Sequence, residues 1–314
     1  MSPESWKARG REFIYREDRQ IFYVDEGEGT ALVFIHGFPT SSYDWSYIWN
    51  GFTDYRKIAP DLIGYGYSDK PKDYHYSISD QANLIEGLLE SLGIREYHIL
   101  AHDYGDTVAQ ELLARQWNRM HRPEPGGKSS IQTTGSWPGV DPQSRIRSVC
   151  FLNGGLFPEV HRPRFIQKLL IGPLGFLITR LINQSKFEKS FAEVFGQDTK
   201  PTAEELQNFW DIIRHKDGLK IYHRLIRYMT ERKRFRRRWV EPLLESDIPI
   251  RIINGPDDPV SGRHMAERYR ELVSEADIVY LENIGHYPQT EDPDGVLRHY
   301  KEFRERVDDV LRPS

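Results

Sequence analysis

The segment Ala101-His102-Asp103-Tyr104-Gly105-Asp106 sets a carboxylate between two small residues, with an apolar run before it and a helical pattern after it. A sharp strand-to-helix turn of this kind lifts its central side chain clear of a sheet, and it needs small residues two positions to either side. Serine at the centre would mean acyl transfer. Aspartate, ionised at neutral pH, can attack an sp³ carbon without a base to activate it. Water can then cleave the resulting ester at the enzyme's own carbonyl carbon and regenerate the aspartate, whereas a serine would be trapped as an ether. That water needs a base, and His286 in Asn283-Ile284-Gly285-His286-Tyr287 is the candidate. An acid to orient the imidazole stands at Asp257 or Asp258. Taken alone, Asp103 reads better as a helix cap, because an aspartate before a helix satisfies free backbone donors. The chain order of nucleophile, acid and histidine, each just after a strand, turns the reading toward catalysis.

These side chains need a sheet to hold them. Strands are expected at 12–16, 20–25, 31–35, 57–59, 98–101, 146–152, 249–253 and 278–281. Uninterrupted apolar runs such as Ala31–Ile35 suit strands buried on both faces of a parallel sheet. Between them, Ile78, Ala82, Ile85, Leu88, Leu89 and Leu92 recur at helical spacing, and Gly93 stops the pattern. A further helix is expected from Thr107 to Trp117, another over 263–272, and a charged amphipathic one at the end. Alternating strand and helix predict an α/β fold with a mostly parallel sheet. From Leu156 to Ser246 only helical segments are legible. The expected division is therefore a core of 1–155 and 247–314, with a helical block, 156–246, inserted after the sixth strand. Residues 119–145, rich in Pro, Gly, Ser and Thr, read as a surface loop.

Composition narrows the function. Lys and Arg number 43 against 47 Asp and Glu, a balance that gives no reason to expect a nucleic-acid partner. A single cysteine, Cys150, excludes an intramolecular disulfide framework and Cys-rich zinc sites, and it reads as a core thiol. Asp69 fills the last glycine position of the only candidate dinucleotide loop. Gly126-Gly127-Lys128-Ser129 lacks the first glycine of a phosphate loop, because Arg122 occupies it. No metal site and no cofactor are expected. The apolar stretch Leu169–Thr179 is too short to span a bilayer. It reads as the buried face of a helical pair, with peripheral contact to a lipid surface the alternative. The charged first twenty residues hold no leader-like apolar segment, so the cytoplasm is the expected compartment. Six cations crowd Arg232–Arg238, which reads as a solvated helix face rather than an anionic-lipid or acidic-partner site.

The chain resembles the α/β-hydrolase superfamily over residues 12–310, in the branch that holds epoxide hydrolases and haloalkane dehalogenases, and within it the mesoderm-specific transcript subfamily. The resemblance is carried by His102-Asp103-Tyr104-Gly105-Asp106, Asn153-Gly154-Gly155, Arg236-Arg237-Arg238-Trp239-Val240, Asp258-Pro259-Val260 and His286-Tyr287-Pro288-Gln289. It implies Asp103 as nucleophile, His286 as base and Asp258 rather than Asp257 as acid. Backbone N–H groups of Phe38, in His36-Gly37-Phe38-Pro39, and of Tyr104 would form the oxyanion hole. In epoxide hydrolases two tyrosines of the helical insert protonate the opening ring oxygen. Tyr228 stands at the later position with Tyr222 as substitute, and no tyrosine occurs between Leu156 and Phe195 for the earlier one. Halide binding has less support: Tyr104 stands where dehalogenases usually have Trp, Phe38 where many have Asn, and Tyr104 and Thr107 where fluoroacetate-type enzymes have Arg. The expectation is an ether-bond hydrolase acting with water on a small to medium apolar epoxide. A haloalkane dehalogenase is the second reading, and a non-catalytic protein binding an apolar ligand the third.

Overall fold

The computed structural model describes residues 1–121 and 144–311. Most of the expected loop at 119–145, including residues 126–129, lies outside them. Eight strands form one sheet: β1 Gly10–Tyr15, β2 Arg19–Glu26, β3 Thr30–Ile35, β4 Tyr55–Pro60, β5 Glu96–His102, β6 Arg145–Leu152, β7 Ile250–Asn254 and β8 Asp277–Tyr280. Their order is β1-β2-β4-β3-β5-β6-β7-β8. Only β1–β2 and β2–β4 pair antiparallel, and the five other pairings are parallel. All eight expected strands are present.

Register explains why the chemistry collects at one edge. Ile35 lies beside Ala101, and His102 lies beside Leu152. The C-terminal ends of β3, β5 and β6 are therefore level, and the loops that carry Phe38, Asp103 and Asn153 leave the sheet together. Residues 31–35 and 97–102 are all buried. Such strands must be covered on both faces, which is why helices flank them.

Three helices precede the insert, α1 Pro3–Lys7, α2 Ile78–Ser91 and α3 Tyr104–His121, all before β6, and α4 Phe165–Ile171 opens it. Ser77 caps α2 by accepting from the Asp80 N–H at 3.2 Å. Arg115 of α3 is buried between Glu86 of α2 at 2.5 Å and its own Glu111 at 2.9 Å, so two helices share one compensated charge cluster. α3 runs four residues beyond its expected end at Trp117. The insert continues with α5 Gly175–Leu181, α6 Gln184–Ala192, α7 Ala203–Arg214, a 3₁₀ turn at His215–Ile221, α8 Tyr222–Leu225, α9 Tyr228–Arg234 and α10 Arg236–Glu245. Among the described residues between β6 and β7 there is no strand. α11 Arg263–Leu272 follows β7, and α12 Pro288–Glu291 and α13 Pro293–Leu311 follow β8.

Two expectations for the insert need correction in part. The apolar stretch Leu169–Thr179 does form a helical pair, α4 and α5, but it is not simply their buried face: Leu169, Leu174, Phe176 and Leu177 are exposed. The cation run at 232–238 is a solvated face with acidic neighbours, as Lys233, Arg234 and Arg237 are exposed, except at its first member. Arg232 is buried, Arg236 pairs with Glu159 at 2.5 Å, and Arg238 pairs with Glu111 at 2.7 Å. Packing has buried Arg232 and drawn Arg238 partly inward, whereas Arg236 meets its carboxylate at the surface. Among the described residues no helix is long and apolar enough to cross a membrane.

Candidate active site

Asp103 occupies the turn between β5 and α3 with φ +47°. This left-handed backbone costs an ordinary residue roughly 1–2 kcal/mol. Gly105 shows what holds the turn tight, since a Cβ there would collide with the carbonyl of Ile35. The Asp103 N–H donates to the Leu152 carbonyl of β6 at 3.2 Å. Its carboxylate accepts from the Phe38 N–H at 3.1 Å. The Tyr104 N–H opens α3, where no intrahelical acceptor is available to it. Of the two backbone donors that the sequence nominated, Phe38 meets the carboxylate, and Tyr104 supplies the first free N–H of the helix that follows it.

His286 follows β8 and holds Asp258 by Nδ1 at 2.7 Å from Oδ2. Asp257, the rival acid, is exposed instead. Asp258 also accepts from the backbone of Val260 at 2.7 Å and Ser261 at 3.0 Å, from the Ser261 hydroxyl at 2.8 Å and from Asn153 Nδ2 at 3.1 Å. Burial alone would raise this carboxyl. The His286 charge and these donors overcome burial and hold it at about 2. Burial would likewise lower His286, but the Asp258 charge and hydrogen bond, with a smaller contribution from the Asp103 charge, raise it to about 9. The pair therefore also stabilises the fold. A histidine raised from 6.5 to about 9 contributes fully below pH 6.5 and loses its contribution as pH climbs through 9. Thermal unfolding midpoints across that window should fall more steeply for the wild-type chain than for His286→Gln; parallel curves would contradict the coupling.

His102 steadies the histidine. Its Nε2 donates to the His286 carbonyl at 2.7 Å, and its Nδ1 accepts from Gln289 at 3.2 Å. Burial first, then the neighbouring His286 charge, push it far below the usual imidazole range, so it stays neutral. The residue before the candidate nucleophile thus anchors the backbone of the candidate base.

Tyr228, at the start of α9, is buried beside Asp103 and Arg232, both of which act on its hydroxyl. Burial and the Asp103 charge hold its proton far more tightly than in water. Its ring meets Tyr104 edge-on at 4.7 Å and lies under the Arg232 guanidinium at 4.5 Å. Tyr222 is placed differently: its hydroxyl donates to the Pro39 carbonyl at 3.2 Å.

Arg232 went unnoticed in the sequence. Its Nη2 donates to the Asp103 carbonyl at 2.9 Å and lies 3.7 Å from the Asp103 carboxylate, and its Nε donates to Thr107 at 2.7 Å. It is 2% exposed. A signal existed: Arg232 stands four residues after Tyr228, so the two share a helix face. The surrounding cations masked it.

A cavity of about 350 Å³ opens above these groups, lined by Phe38, Leu170, Ile178, Phe191, Tyr222 and His286 among others. Its walls are mostly apolar, as a site for an apolar molecule requires. Asp103 and Tyr228 do not line it, whereas His286 and Tyr222 do. The residues can therefore present a carboxylate with a backbone donor on it, an imidazole and a buried phenol next to an apolar chamber. Among the described residues no cluster suited to a metal ion occurs.

Comparison with known proteins agrees with this architecture. The mesoderm-specific transcript homolog protein of Bos taurus is 44% identical over 312 residues, covering 95% of this chain and 87% of the relative. The cis-3-alkyl-4-alkyloxetan-2-one decarboxylase of Shewanella oneidensis is 25% identical, covering 93% of this chain and 87% of the relative. In fold, the haloalkane dehalogenase DatA of Agrobacterium tumefaciens C58 superposes with a TM-score of 0.74 at 21% identity, covering 95% of this chain and 97% of that one. The model of the alpha/beta hydrolase family matches residues 32–299, and the chain belongs to that family.

Proposed function

We propose that the protein is a hydrolase that opens small to medium apolar epoxides through an ester on Asp103. The observation that carries the reading is the buried Tyr228 packed on Tyr104 and on Arg232, the arginine that lies against the Asp103 carboxylate. An opening epoxide leaves an alkoxide, a strong base that needs an O–H donor beside the carbon under attack. Asp103 attacks the less hindered ring carbon, the C–O bond breaks, and the Tyr228 proton passes to the new alkoxide. Tyr222, on the cavity wall, spends its O–H on the Pro39 carbonyl and acts here through its ring as part of the apolar lining. His286 then draws a proton from water, which adds to the ester carbonyl while Phe38 and Tyr104 N–H groups hold the oxyanion. Collapse releases the diol and restores Asp103, and the proton taken up by His286 returns to the Tyr228 phenolate, so the site ends as it began. In this scheme Arg232 is a positioning residue: it grips the elbow through the Asp103 carbonyl and supplies a desolvated positive charge beside the carboxylate. Residues 156–246 act as the cap that closes the chamber over a core of 1–155 and 247–314.

The raised His286 fits the two steps. Before alkylation, the Asp103 charge helps hold the proton on His286. Ester formation removes that charge, and the imidazole becomes a better base when it is needed. The name of the Shewanella relative, which specifies a strained four-membered oxygen ring, also favours ring C–O cleavage over halide loss. Halide loss would instead need N–H donors at the leaving group, and neither Phe38 nor Tyr104 offers one from its side chain.

The test is a panel of epoxides, haloalkanes and aryl esters run on wild-type protein and on Tyr228→Phe. Epoxide turnover should exceed haloalkane turnover. Loss of the phenol should slow it by roughly 10²–10⁴-fold, the range for a general acid. Halide release without epoxide turnover, unaffected by Tyr228→Phe, would move the assignment to a dehalogenase.

A further inference from the structure

Six of the ten exposed large apolar side chains among the described residues fall in one hairpin: Phe165, Leu169, Leu174, Phe176, Leu177 and Leu181, on α4, α5 and the turn between them. Phe165 is 74% exposed, Leu181 63% and Leu174 60%. Scattered single residues would need no explanation, but a cluster this dense marks a contact surface. The opposite side of the same hairpin, through Leu170 and Ile178, walls the apolar cavity, and Leu181 belongs to both surfaces. The exposed patch therefore backs the cavity wall and meets the cavity at Leu181.

Charge identifies the partner. From Phe165 to Phe187 the chain holds Lys168, Arg180 and Lys186 and no carboxylate. Beside Phe176 runs a groove lined by Lys72, Arg180, Lys220, Arg224 and Arg227, again with no carboxylate in its wall. Lys72 and Lys220 share Asp217, whereas Arg180, Arg224 and Arg227 have no carboxylate partner among the described residues. Apolar side chains ringed by uncompensated cations match a bilayer with anionic headgroups: the leucines and phenylalanines enter the acyl boundary while the arginines meet phosphate. We infer that α4 and α5 dock the protein on an anionic lipid surface, with the cavity edge at Leu181 facing the bilayer. An apolar substrate would then pass from acyl chains into the cavity without crossing water. The docking does not rest on the reaction assigned to Asp103, so either inference can fail alone.

Co-sedimentation of the full chain with vesicles tests this. Vesicles of equimolar phosphatidylcholine and phosphatidylglycerol should bind it, and pure phosphatidylcholine should bind it at least about tenfold more weakly. Raising salt to about 1 M, where the screening length falls to about 3 Å, should release most of it. Phe165→Ser with Leu174→Ser and Phe176→Ser, and separately Arg180→Glu with Arg224→Glu and Arg227→Glu, should each cut binding at least about tenfold. Hydrolysis of a water-soluble substrate by the serine variant should be unchanged, which also reports that it has folded. No binding to the anionic vesicles would overturn the inference. So would sedimentation in lipid-free buffer as a dimer that the serine substitutions dissolve, because the patch would then belong to a second copy.

Discussion

His286→Gln should stop the reaction at the ester, and intact-protein mass should show the chain plus one substrate in near-stoichiometric yield. The reason lies in the division of labour. Asp103 attacks as a carboxylate and needs no base, so the first bond can form without the imidazole. The second step needs water deprotonated beside the ester carbonyl, and His286 is the one titratable group of the site that both lines the cavity and is held by a buried carboxylate. Glutamine keeps most of the volume and a hydrogen bond to Asp258 but cannot accept the proton. Loss of a general base costs about 10²–10⁴-fold, so the ester should outlast mixing by far. Free Asp103 in a His286→Gln sample saturated with epoxide would contradict the scheme. The wild-type pH dependence carries the same sign: ester cleavage should rise as His286 loses its proton, while ester formation, which uses the carboxylate, should be flatter over that interval.

Much of this site could be read from residue types at strand ends. The parallel strands are legible because burial on both faces leaves uninterrupted apolar runs such as Ala31–Ile35, and no helix or surface strand needs such a run. Asp103, Asp258 and His286 are legible because each directly follows a strand, and in a parallel sheet those ends converge whatever their separation in sequence. Residue types alone do not separate Asp258 from Asp257; the family resemblance points to Asp258, and in three dimensions it is the one that meets His286 while its neighbour is exposed.

The inserted helices were harder, for a physical reason. Their segments are short, and their packing depends on what lies beneath them rather than on their own periodicity. Arg232 belongs to a run of cations that looks uniformly solvated, yet the first member turns toward Asp103 and Thr107, while Arg236 and Arg238 find Glu159 and Glu111. Composition records how many charges there are; only the partners decide which are buried. The hairpin at 165–181 erred in the opposite direction. Its apolar residues implied a buried face, but two seven-residue helices carry more apolar surface than the cavity wall covers.

The central claim is that Asp103 forms a bond to substrate. Asp103→Ala should lower turnover by at least about 10⁴-fold, as removal of a nucleophile does elsewhere. It should leave the fold in place, since alanine can still donate its N–H to Leu152 and accept from Arg232 through its carbonyl. Loss of activity alone would not separate a nucleophile from a base that activates water. A single turnover in water labelled with heavy oxygen does separate them. With enzyme in excess, the oxygen delivered to carbon must come from the unlabelled carboxylate, so the first diol released should be unlabelled and the label should reside in Asp103, found in the peptide that contains it. Heavy oxygen in the first-turnover diol, with none in Asp103, would mean direct attack by water and would contradict the account.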